Sequence, residues 1–316
     1  LILSANPPGR MVWEPEMADE QLTYYANLCS QDPLCSQRTS DLTATVRNVF
    51  DNMPARWGLI PIDPGRVKAL TFLMLFDTNT ASLILDTLIA AEQGDPSGLA
   101  LLSLGYLYQF DFPHGSVWGN LFALGHSADF DPNRDYKMEL NPPNAILGAG
   151  HAALIWSEAD HWPYTPIPAE LRQPQLSDVE TLVVAGSIDF STPNEYAINE
   201  LMPYLSNGSL VVVTEAGHTG YFTQEEAFER LVTTFYDTGV GDDSLFEYRP
   251  MDFSVPVTFP ALARQMVRRF VVYPLFALGV MGIVAGWWIR QRRRGRSTLV
   301  DSQSGPNQTA PTSAAL

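Results

Sequence analysis

The chain has 316 residues, 46% of them apolar and 11% aromatic, enough for one large domain or two smaller ones with a sizeable core. Its net charge is −16, and the imbalance is concentrated. Eight of the 19 Lys and Arg lie between Arg264 and Arg296, so the first 263 residues carry about −23. Such a surface repels phosphate, which excludes nucleic acid as a partner, and no GxGxxG or P-loop pattern calls for a nucleotide or other cofactor.

The chain opens on Leu1-Ile2-Leu3-Ser4 rather than on Met, with no signal peptide. Residues 1–10 read as the remnant of a core strand that has nothing before it to pair with, the expectation for a truncated or processed chain. Residues 11–170 read mainly as helices. Leu42, Val46, Val49 and Phe50 fall at helical spacing behind Ser40 as N-cap. Further helical patterns run over Val67–Phe76, Thr80–Glu92, Ser97–Phe110 and Val117–Gly125, broken by Asp-Pro and Gly pairs. No strand alternation is evident there, and the region looks like a large helical cap or lid. Cys29 and Cys35 flank an Asp-Pro turn, a spacing able to close a small disulfide loop outside the cytosol, or else to leave two unpaired thiols; with no second Cys or His pair nearby, it is a poor metal signal.

From about 171 to 250 the pattern becomes strand, helix, strand, helix. Thr181–Ile188 and Ser209–Thr214 are short β-branched runs bounded by Gly, Ser, Asn or Asp, and read as buried strands of a parallel sheet. The helices after them open with Thr192-Pro193-Asn194-Glu195 and Thr223-Gln224-Glu225-Glu226, two capping-box patterns. Each strand ends near a residue able to do acid–base work: Asp189 after the first, His218 after the second. In an open α/β sheet, sites form at the C-terminal ends of strands. A carboxylate there can fix an imidazole's tautomer and stabilise its cation, and the imidazole can shuttle a nucleophile's proton.

Residues 251–269 read as a linker. Phe270–Ile289 (FVVYPLFALGVMGIVAGWWI) is 20 residues without a charge, about 30 Å as a helix, with Tyr273, Trp287 and Trp288 near its ends. Three arginines precede it and five follow, which places the C-terminus in the cytoplasm and the large portion outside. Residues 290–316 read as a basic stretch and then a disordered tail.

The run Thr181–Pro193, the Ala216-Gly217-His218 turn, the Cys29/Cys35 loop and the long helical insertion together resemble the α/β-hydrolase family. Within it they are similar to tripeptidyl- and prolyl-aminopeptidase-like serine hydrolases with a TAP-like C-terminal segment. The resemblance implies an eight-stranded sheet in which Leu1–Ser4 is the sixth strand, Asp189 ends the seventh and His218 follows the eighth. It implies an α/β fold that is the C-terminal part of a hydrolase sheet with a large helical cap; the apolar run Phe270–Ile289 adds a single transmembrane helix after it. It also implies a Ser-Asp-His triad, but the Gly-x-Ser-x-Gly elbow that carries the serine does not occur. The nearest miss, Gly125-His126-Ser127-Ala128-Asp129, sits at a helix end. The serine and its oxyanion donors are therefore expected on a missing N-terminal core segment. Three functions remain open: an exopeptidase, an esterase of the same fold, and a non-catalytic membrane-tethered binding protein. For a peptide substrate, Glu158 and Asp160 near the cap's end are candidate partners for a free amino group.

Overall fold

A computed structural model describes residues 1–106, 118–156, 159–163 and 165–301. Proline and aspartate set the starts of the first helices. Pro15 begins α1 (Pro15–Gln31), Pro33 begins α2 (Pro33–Ser36) and Pro64 begins α4 (Pro64–Met74), each at a position where the missing N–H costs nothing. Asp32 caps α2 through the Leu34 and Cys35 amides, and Asp63 caps α4 through the Arg66 amide. Helix α3 (Leu42–Asp51) is capped by Asp41, whose Oδ1 accepts from the Ala44 amide at 2.9 Å, and not by Ser40 as the pattern predicts. Both residue types cap well, and the register of the buried face decides between them.

Between α3 and α4 lies a two-stranded antiparallel hairpin, β2 (Arg56–Trp57) with β3 (Ile60–Pro61), where no strand was expected. Helices α5 (Thr78–Glu92) and α6 (Ser97–Tyr106) follow; the last four residues expected in α6 lie outside the described residues. Helix α7 (Trp118–Asp129) runs on through Gly125 to Asp129, four residues past its expected end. Short helices α8 (Tyr136–Glu139) and α9 (Gly150–Trp156) complete the helical stretch. Cys29 and Cys35 form a disulfide that ties the end of α1 to α2, both sulfurs buried.

The sheet is small and parallel, in the order β1 (Ile2–Leu3), β4 (Thr181–Gly186), β5 (Gly208–Val213). Every residue of β4 is buried, as expected for a central strand. The expectation for β5 is only half met: Ser209 is exposed and Leu210–Val212 are half-buried, because β5 lies at the sheet's edge. Against one face packs α11 (Glu225–Thr238), which places Leu231 and Phe235 on Leu182, Val184 and Tyr221. Gly239 ends this helix in the left-handed region at φ 77°, a conformation that suits glycine.

Neither expected capping box forms. Thr192 turns its hydroxyl to Asp189, and the helical turn behind it, α10 (Asn194–Tyr196), has no side-chain cap. Thr223 donates to the Gly220 carbonyl, and α11 likewise starts without a side-chain cap. In both cases a nearer partner takes the hydroxyl.

The helical stretch and the sheet share a core. Leu22, Tyr25, Val46, Phe72, Leu75 and Leu88 of the helices cluster with Ile188 and Phe190, just beyond β4. Residues 1–263 accordingly form one compact unit. The expected linker is also part of it up to Ala263. Met251 and Phe253 are buried in that core, the Met251 amide donates to Glu215 at 2.9 Å, and the Ser82 hydroxyl donates to the Asp252 carbonyl. Its polar, proline-bearing composition resembles a loop, but its apolar residues alternate into the core.

Residues 264–316 form the second unit. A helical run from Phe259 to Arg290 passes from α12 (Phe259–Val267) through one π-helical turn into α13 (Tyr273–Asp301). Its apolar stretch is wholly unburied, and the run is long and apolar enough by length and composition to cross a membrane. The helix extends to Asp301, past Ser297 where an irregular tail was expected; Arg and Gln favour helix, and no proline intervenes before Pro306. Residues 302–316 lie outside the described residues.

The core between α11 and β4 is close-packed around Leu231, which is fully buried. Leu231→Ala is expected to cost about 2–5 kcal/mol, read as a lower urea midpoint of the chain in detergent micelles by near-UV circular dichroism.

Candidate active site

The site is built where the loops after β4 and β5 close on each other. The Ser187 amide donates to the Val213 carbonyl at 3.0 Å, and the Ile188 amide to the Ala216 carbonyl at 3.1 Å. In return the Ser187 hydroxyl accepts from the Glu215 amide at 2.7 Å. This crossing leaves no room for a side chain at residue 186: a Cβ on Gly186 would lie 2.1 Å from the Ala216 carbonyl oxygen. Glu215 takes a left-handed conformation at φ 54° to make the turn.

Asp189 emerges from this closure fully buried. Its Oδ1 accepts from the Ser191 amide at 2.9 Å and the Thr192 amide at 2.8 Å, and its Oδ2 from the Thr192 hydroxyl at 2.7 Å. The same carboxylate faces His218 Nδ1 at 3.2 Å and 3.1 Å from its two oxygens. A carboxylate can only accept, so the imidazole proton sits on Nδ1 and the Nε2 lone pair is left available. No hydrogen bond to Nε2 occurs among the described residues.

The histidine is held from the helical side as well. Its amide donates to the Phe76 carbonyl at 2.7 Å, and its ring centre lies 6.0 Å from that of Phe76. A Cβ on the preceding Gly217 would lie 2.4 Å from the same Phe76 carbonyl oxygen. Beside the site, Trp13, Phe76 and Phe190 each pack edge to face on Phe72, Trp13 and Phe76 meet at a tilt, and the Trp13 indole donates to the Ser191 carbonyl at 2.6 Å. Thr192 and Phe76 were not anticipated as parts of the site. Thr192, three residues after Asp189, is at the spacing of a side-chain turn and was legible in principle. Phe76 lies too far along the chain for any local pattern to reveal.

The other candidate residues are elsewhere or not described. Ser127 sits within α7 with its hydroxyl on the Leu124 carbonyl at 3.1 Å, the geometry of a helical serine and not of a strand–turn–helix elbow. His126 is buried amid Phe122, Phe130 and Trp156. Glu158 and the side chain of Asp160 lie outside the described residues. Among the described residues no cluster of His, Cys, Asp and Glu is arranged to hold a metal.

The hydrogen bond that His218 Nδ1 donates to Asp189 raises the His218 pKa above its usual 6.5; burial opposes this, and the negative charges of Asp189 and then Asp77 add to it. A raised folded-state value means that the imidazolium's contribution to stability is full below pH 6.5 and fades as pH rises through the folded value. The Asp189→Asn variant should show a lower His218 titration midpoint in histidine-labelled NMR spectra, and a midpoint equal to that of the unaltered chain would contradict the pairing.

Residues 149–244 match the family model described as TAP-like protein. No curated protein matches the chain significantly. The matched segment contains β4, β5, Asp189 and His218. By this match and by the parallel β4–β5 pair with its strand-end loops, the segment is identified as the TAP-like part of an α/β-hydrolase scaffold.

Proposed function

We propose that this chain supplies the acid and base of a serine hydrolase: Asp189 orients the imidazole and His218 Nε2 takes the proton from a serine hydroxyl. The observation that carries the reading is the buried, four-times-bonded Asp189 facing Nδ1 of a histidine whose Nε2 is left available. In such a pair the base removes the hydroxyl proton as the oxygen attacks the acyl carbon, then returns it to the leaving group. The Gly-x-Ser-x-Gly elbow does not occur in these 316 residues, so the serine and its oxyanion donors belong to polypeptide outside them.

The substrate class we favour is a peptide trimmed from its end, with helices α1 to α9 acting as a cap over the pocket. An ester is the alternative substrate, since the scaffold does not dictate the bond cleaved. A non-catalytic, membrane-tethered binder is the competing reading, motivated by the missing elbow. The helix spanning 270–289 anchors the protein, with residues 1–263 extracytoplasmic and the C-terminus cytoplasmic. The five arginines after the span and the Cys29–Cys35 disulfide favour that orientation.

In a longer protein bearing an upstream elbow, a fluorophosphonate probe is expected to label one serine. Asp189→Asn is expected to lower kcat about 10⁴-fold while leaving KM little changed. No labelling of any serine in the longer protein would favour the binding-protein reading. For topology, an epitope after Leu316 should resist protease added to intact cells, whereas one before Leu1 should be cut.

A further inference from the structure

We infer that Asp77 is a positioning residue for His218, acting through Thr219 from the junction between α4 and α5. Asp77 occupies the N-cap of α5 with extended backbone angles (φ −127°, ψ 142°). Aspartate there ordinarily turns its carboxylate onto the first amides of its own helix. Asp77 makes no such bond. Its Oδ1 instead accepts from the Thr219 amide at 3.1 Å and from the Thr219 hydroxyl at 2.9 Å. One residue earlier the Phe76 carbonyl accepts from the His218 amide at 2.7 Å. One residue before that histidine, Gly217 lets the Phe76 carbonyl approach to 2.4 Å from where a Cβ would stand. Three successive residues, 217 to 219, are thus docked on two successive residues, 76 and 77. The helix gives up a cap, commonly about 1 kcal/mol, and the carboxylate that would have made it holds the histidine loop.

This arrangement fixes the histidine from two sides. Asp189 aligns the ring from the β4 loop, and the 76–77 junction fixes the backbone that carries the ring. A loop held only by its ring partner would swing about that single contact. With the backbone docked, the ring's approach to Asp189 is set before any substrate arrives. The charged groups whose fields reach this histidine are Asp189 and Asp77, and the same two carboxylates raise the pKa values of the Tyr25 and Tyr221 hydroxyls.

The catalytic meaning of this inference rests on the reading of His218 as a base, but its test needs no serine. The experiment is histidine-labelled NMR on the whole 316-residue chain in detergent micelles, with a His218→Gln variant to assign the signal. Its readouts are the His218 Nδ1 proton, its exchange rate with water and the His218 titration midpoint. Asp77→Ala is expected to speed exchange of that proton about tenfold and to lower the midpoint. Asp77→Asn, which keeps an acceptor oxygen but drops the charge, should lower the midpoint while keeping exchange slow. Thr219→Val, which removes one hydrogen bond and leaves the charge, should speed exchange while leaving the midpoint in place. A purely structural role for Asp77 would lower thermal stability in all three variants alike and leave proton exchange and midpoint as they were, and that outcome would overturn the inference. Failure of probe labelling in the longer protein would sink the hydrolase reading and leave this result standing.

Discussion

Two glycines make the site possible. Gly186 lies under the Ala216–Gly217 backbone and Gly217 lies against the Phe76 carbonyl, each at a separation no Cβ would permit. Three chain segments that are distant in sequence meet there backbone against backbone. Backbone contacts between buried segments must satisfy their own polar groups, and these do: Ser187, Ile188 and His218 all donate across the junction. The positions of Asp189 and His218 follow from that closure. Neither side chain is held by its own loop in isolation.

The shared core extends the same constraint. Phe190, next to the acid, packs edge to face on Phe72 in α4, and the Tyr25 hydroxyl reaches the Leu75 carbonyl near the end of α4 at 2.8 Å. Helices that by their sequence pattern looked like an appended layer are bound to the loops of the site by buried aromatic rings. The stretch after α11 is drawn in too. Gln224 exchanges two hydrogen bonds with the backbone of Glu247, and Glu215, just ahead of the histidine turn, accepts from the Tyr248 hydroxyl and the Met251 amide. A single hydrophobic core therefore stabilises the fold and the geometry of the acid–imidazole pair together.

Local sequence is a good guide to β4, to the parallel pairing of β4 with β5, and to the strand-end positions at which the Asp189 and His218 side chains meet. Short β-branched runs ending in Gly or Thr carry that information without help from distant residues. What was not legible depended on partners far along the chain. Thr192 and Thr223 have the right spacing for capping boxes, yet Asp189 and the Gly220 carbonyl claim their hydroxyls. The half-exposure of β5 follows from its place at the sheet edge, which no property of its own residues reveals. Residues 251–263 have the composition of a linker, and only the seats waiting for Met251 and Phe253 make them structural. Asp77 looks like an ordinary helix cap, and its true partner lies 142 residues away.

The hydroxyl of Thr192 carries one proton and gives it to Asp189. Toward His218 Nδ1, 3.2 Å away, it can then offer only a lone pair. Among the described residues every protein atom hydrogen-bonded to Nδ1 is thus an acceptor, and a half-turn of the imidazole would set a C–H in that acceptor cage in place of an N–H. The pocket is keyed: it admits one ring orientation and one tautomer and rejects the rest by leaving acceptors without protons. Any molecule that reaches Nε2 of the neutral ring meets a lone pair, so the first proton to move there moves onto the ring, and only the imidazolium so formed can give it back.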